Sequence, residues 1–164
     1  LTGLARQKRG HAPQTPVRAA LREDSQLRPS IKDGLGAVLN AHRSYFEEAV
    51  RSSFADSLDI DEALKVGREQ ENRWDYLLGH LPSKQVVGVE LHSAKNSEIT
   101  TVINKRGAAR RQLHEHLREG VFVAKWLWVA SGQVQFAPME KATFQLAENG
   151  IKFVGRKITH KHLR

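Results

Sequence analysis

The chain has 164 residues, 40% of them hydrophobic, with 26 Lys and Arg against 18 Asp and Glu, a net charge of +8 and no cysteine. That length suits one domain with its own core, and the missing cysteines exclude disulfides, thiol nucleophiles and Cys-based zinc sites. No apolar run approaches the ~20 residues that cross a bilayer, and the first thirty residues lack the apolar stretch of a secretory signal, so the expectation is a cytoplasmic protein without a membrane partner. The opening Leu1 leads to the further expectation of a fragment or a processed chain.

Residues 1–30 mix Arg, Lys and Gln with Pro13, Pro16 and Pro29, and read as an extended basic arm with a short helix over 17–23. Ile31, Leu35, Val38, Leu39, His42, Phe46, Ala49 and Val50 recur at spacings of three and four, which predicts a helix over 31–54 capped by Ser30. Residues 55–73 are acidic and read as a loop and a short helix. Two strand-like runs follow, 74–78 and 86–92, joined by a hairpin loop containing Gly79 and Pro82. Ser97 then opens a long helix that Gly120 closes. The run 121–130, with Trp126 and Trp128, predicts a buried strand, and Ser131-Gly132 a turn into a strand over 133–136. Pro138 stands near the start of a helix ending at Asn149-Gly150, and 151–154 is a last strand before a basic tail, 155–164. The expected fold is α/β, a mixed central sheet flanked by helices, with one domain over 31–154.

Charge is distributed unevenly. Residues 1–30 carry six Lys and Arg against two acids, the tail carries four and none, and 31–154 hold sixteen of each. The excess at the two ends fits either arms that grip the phosphates of DNA or RNA or tails that only solubilise the chain. Within the middle, 31–75 hold ten acids to six bases and 76–154 the reverse, and a neutral core with an acidic half suits a metal-dependent site better than a smooth basic groove.

One strand carries the chemistry. In Val86-Val87-Gly88-Val89-Glu90-Leu91-His92 alternate side chains share a face. Glu90 and His92 therefore point together, Gly88 leaves room beside them, and Asp75 lies in the hairpin partner. Two close carboxylates repel and call for a cation, and a hard dication such as Mg²⁺ or Mn²⁺ is held by one or two carboxylates plus waters. Such an ion can activate a water against a phosphodiester.

The order helix, strand with Asp75, strand with Glu90-Leu91-His92, long helix, strand resembles the core of the PD-(D/E)XK nuclease superfamily over roughly residues 31–130. The resemblance implies a restriction-endonuclease-like core and a metal-dependent nuclease. It implies Asp75 and Glu90 as metal ligands and Glu47 or Glu48 of the first helix as a helper. The family's Lys, two positions after the Glu, is His92 here, and Trp74 stands where the family has Pro. His92 or Lys95 would then prepare the water, with Lys105 a further source of the amine. Lys105, Arg111 and Arg118 of the long helix would contact the nucleic-acid backbone. A homodimer or a larger protein assembly is compatible with the same reading, as is a module that keeps the fold, has lost catalysis and binds nucleic acid or a protein.

Plainer roles stand beside these. Glu90 could form a structural pair with Arg106 or Arg110, Asp75 and His92 could be solvated strand residues, and Glu47 and Glu48 fall off the apolar stripe of their helix. His42 reads as a hydrogen-bonded core histidine. His114 and His116 lie two apart on a helix, which is not a zinc-protease spacing. His160 and His162 sit in a basic tail, and Trp126 and Trp128 read as core rather than as a base-stacking surface.

Overall fold

A six-stranded sheet in simple sequential order organises the chain. The computed structural model describes residues 14–136 and 140–164. The strands are β1 (Lys32–Asp33), β2 (Phe54–Asp59), β3 (Tyr76–His80), β4 (Gln85–Ala94), β5 (Lys125–Val134) and β6 (Ile151–Phe153). Neighbours from β1 to β4 are antiparallel. The β4–β5 and β5–β6 pairs are parallel. Two helices make the parallel crossovers, α4 (Ile99–Leu113) and α5 (Lys141–Glu148), and three short ones complete the set: α1 (Pro16–Ala20), α2 (Glu48–Arg51) and α3 (Ile60–Ala63). The α/β class and the mixed sheet expected from the sequence are thus present. Among the described residues no helix is long and apolar enough to cross a membrane.

Alternation along the central strands divides the core. Val87, Val89, Leu127 and Val129 pack on one face with Phe46, Val50 and Ile158. On the other, Trp126, Trp128 and Ala130 pack beneath Val102, Ala109 and Leu113 of α4 and Leu146 of α5. Trp74 meets Trp126 edge to face at 5.1 Å. Trp126 and Trp128 are therefore core, as their strand pattern suggested.

Several boundaries depart from expectation. The helix over 31–54 does not form. β1, a 3₁₀ segment (Asn40–Tyr45), α2 and the start of β2 occupy that stretch instead. Gly34 turns the chain at φ 54°, and a Cβ at Gly36 would press on Lys32, so the break is built into Gly34-Leu35-Gly36. The apolar period of three to four was real, but short turns satisfied it. β2 lies in the stretch read as an acidic loop. A register shift between Phe54 and Asp56 sends Phe54 into one core and Leu58 into the other, which hides the alternation. The turn at Ser131-Gly132 is absent. β5 runs through it and, after a shift between His92 and Ala94, pairs Val134 with Ala94. α4 begins after a 3₁₀ turn over Asn96–Glu98, without a side-chain cap from Ser97, and ends at Leu113.

The two charged ends are also corrected where they are described. Val17, Ala20, Leu21 and Leu27 are buried in the core beneath α4, so 14–30 are part of the domain and not an extended arm. Asp56 fixes them, its buried carboxylate accepting from Val17 N at 3.1 Å and Arg18 N at 3.0 Å. In the tail, Ile158 and Leu163 join the second core, and Glu47 N donates to Ile158 O. The remainder of the expected arm, residues 1–13, and Pro138 lie outside the described residues.

Candidate functional site

The β3–β4 ladder ends at the pair Tyr76 and Val89, and the next two residues outward are Asp75 and Glu90. Their carboxylates cross. Asp75 N donates to Glu90 Oε2 at 3.0 Å, and Leu91 N donates to Asp75 Oδ2 at 2.9 Å. The backbone carbonyl of Asp75 also accepts from Ile60 N and Asp61 N at the start of α3. β2, β3 and β4 therefore converge on these two acids.

Glu90 is 0% exposed. Burial first, and then the neighbouring Asp75, push its carboxyl up to about 8, against the opposing pull of Lys105. Burial likewise raises Asp75, opposed by the Leu91 amide and Lys105. Asp59 is raised too, chiefly by burial and then by Asp61 and Asp75. The cation that answers them is Lys105, whose Nζ bonds Glu90 Oε1 from nearly two turns into α4. His92 stands beside the pair, with Nδ1 3.7 Å from Glu90 Oε1 and Nε2 2.9 Å from Glu98 Oε2. The His92 hydrogen bond is the main reason Glu98 lies below the usual carboxylate range. His92 O in turn accepts from the Trp128 indole at 3.0 Å, which fixes the strand under the ring.

No known family model, curated protein or solved structure matches the chain. The residues themselves therefore carry the argument.

Asp75, Glu90 and His92 are brought together as the strand pattern required. Lys105, expected on the nucleic-acid backbone, is instead turned inward onto Glu90. It takes the place suggested for Arg106 or Arg110, because a strand carboxylate under α4 meets the residue one step earlier on the helix. Lys95 is exposed. Arg111 is exposed on α4, while Arg118 bonds Ala19 O and Glu23 and so ties the end of the helix region to α1. Glu47 and Glu48 are exposed at α2. The acids that do act on Asp75 are Asp59 and Asp61, which the sequence reading left in a loop. Had β2 been recognised, the ladder pairing Asp59 with Tyr76 would have placed them. His42 is hydrogen-bonded to Tyr76 Oη at 2.7 Å as expected, but it is half-buried in the 3₁₀ segment and not in the core.

Among the described residues no three His, Asp or Glu side chains are grouped as a metal cage. The donor set is a carboxylate pair. Both Glu90 oxygens have protein donors, whereas Asp75 has a protein donor on Oδ2. Two desolvated carboxylates against one ammonium leave the centre short of positive charge. A hard dication that keeps most of its own waters fits that shortage, provided Lys105 yields Glu90 Oε1.

Proposed function

We propose that this chain is a divalent-metal-dependent phosphodiesterase acting on DNA or RNA, with its reaction centre at Asp75, Glu90, Lys105 and His92. The observation that carries this reading is the meeting of two desolvated carboxylates on adjacent strands with an amine from the crossover helix. The antiparallel β2–β3–β4 unit followed by α4 and a parallel β5 supports a restriction-endonuclease-like core. In that reading the amine missing at position 92 comes from Lys105, nearly two turns into the next helix.

Asp75 and Glu90 would hold Mg²⁺ or Mn²⁺, which when bound polarises a phosphate oxygen and lowers the pKa of a water. Lys105 places a positive charge where a phosphoryl group would gain negative charge. His92, between Glu90 and Glu98, can accept a proton at one ring nitrogen while the other stays bonded to Glu98. The crossed backbone bonds orient both carboxylates before any substrate arrives, which removes that cost from the reaction.

The full occupation of the Glu90 carboxylate by protein donors favours a second reading, a nucleic-acid-binding module without catalysis. One experiment separates them. The purified chain is incubated with labelled single- and double-stranded DNA and with RNA, in Mg²⁺, Mn²⁺ or EDTA, beside Glu90→Gln and Lys105→Met. Cleavage in the metal lanes, reduced roughly 10²-fold or more in both variants, supports the enzyme. Intact strands in every lane with retained gel shifts support the module. Full activity in Glu90→Gln overturns the site.

A further inference from the structure

The helix that delivers Lys105 to Glu90 carries a second set of cations away from it. Arg106 and Arg110 on one face of α4 and His114 at its C-terminal cap recur every four residues. They line a groove of about 600 Å³ with Arg22, Arg118 and Phe122, and its floor includes Trp126. The groove begins at Arg106, the residue after Lys105 and about 100° round the helix from it, and its lining contains none of Asp75, Glu90, His92 and Lys105.

Its electrostatics are unbalanced. Four arginines line it against one carboxylate, Glu119. Arg118 is paired with Glu23 and Arg22 is bonded to Leu117 O, so these two brace the wall. Arg106 and Arg110 pair with no carboxylate among the described residues. The Arg106 guanidinium lies over the Trp126 ring at 5.8 Å, and its buried Nε has no acceptor. Burial, and then the charge of Arg110, work against its protonated form. An anion in the groove would relieve both. At the rim Phe122 is 75% exposed, an aromatic face held next to this charge.

We infer that this groove binds a single-stranded stretch of nucleic acid, with Arg106 and Arg110 on its phosphates and Phe122 stacked on a base. Unpaired bases offer π faces that a duplex keeps within its stack, and cationic grooves with aromatic platforms exploit this. The inference rests on the nucleic-acid part of the function proposed above and leads a strand along α4 toward Lys105.

The test is fluorescence anisotropy of a labelled single-stranded DNA 15-mer and its duplex, in EDTA across a salt series, with wild type, Arg110→Glu and Phe122→Ala. Both side chains are exposed, and matching thermal midpoints establish that the variants fold. Expected are a weakening of roughly tenfold for Arg110→Glu with a shallower salt slope, and roughly 5- to 100-fold for Phe122→Ala on the single strand but not on the duplex. Wild-type affinity in both variants overturns the inference even where metal-dependent cleavage occurs. No binding of either DNA by wild type also overturns it and makes an acidic protein the occupant to examine. Binding that follows the two variants without cleavage in Mg²⁺ leaves the groove standing and removes the nuclease.

Discussion

Replacing Glu90 by Gln isolates the cost of keeping that carboxylate in the core. Its ordinary pKa is 4.5, and burial followed by the nearby Asp75 push it up to about 8 in the folded chain. Between those values the folded state holds a proton that the unfolded state has released, so stability falls as pH rises through the window. Each pH unit is worth ~1.4 kcal/mol. From pH 5 to pH 8 the loss is on the order of 3 kcal/mol, or roughly 6–12 °C in Tm for a chain of this size. Other groups also titrate there. Asp75 and Asp59 are raised and contribute with the same sign. His80, His116 and His162 are lowered by burial and contribute with the opposite sign, their stability present above the ordinary 6.5 and lost as pH falls. Asp59 and the three histidines persist in Glu90→Gln, so the difference between the two pH profiles reports Glu90 together with its coupled neighbour Asp75. The assay is Tm by scanning calorimetry at pH 5, 6, 7 and 8 for both proteins. Wild type is expected to lose several degrees more than the variant across the range. Parallel profiles would refute the assignment of Glu90 as a desolvated acid with insufficient counter-charge.

Gly79→Ala is expected to cost roughly 3 kcal/mol or more, because a Cβ there would land on the Asp56 carboxylate that holds α1; an unchanged urea midpoint would contradict it. Trp128→Phe is expected to destabilise more than Trp74→Phe by roughly 1–3 kcal/mol. The Trp128 indole donates to His92 O, whereas the buried Trp74 Nε1 has no acceptor. The reverse order in chemical denaturation would sink that account.

The central part of the fold was legible because its signals were local. The apolar run 86–92 with its alternation marked β4, and Asn149-Gly150 marked the end of α5, where Gly150 has φ 71°. Asp75 and Glu90 followed from a hairpin register that needs only sequence spacing. Residues 31–54 misled because a helical period was read through Gly34 and Gly36, which turn the chain. β2 was hidden because Asp56 and Ser57 are buried polar residues within it. Their partners are distant in sequence: the amides of α1 for Asp56 and the Ala37 amide for Ser57. Lys105 was recognised as a cation but not as the partner of Glu90, since the pitch of α4 over the sheet is set by tertiary packing and not by its own sequence.

The crossed bonds between Asp75 and Glu90 also constrain how such a chain can change by descent. Past Tyr76 and Val89, the hairpin is laced by carboxylates where backbone rungs would otherwise continue. Either acid is thus a strut as well as a reagent, and losing one would unlace the mouth of the hairpin. A lineage that abandoned the chemistry would still be selected to keep both. Among the described residues Lys105 hydrogen-bonds the Glu90 carboxylate and no backbone group. In any relative, retention of that amine would report a living reaction centre more faithfully than retention of the two acids.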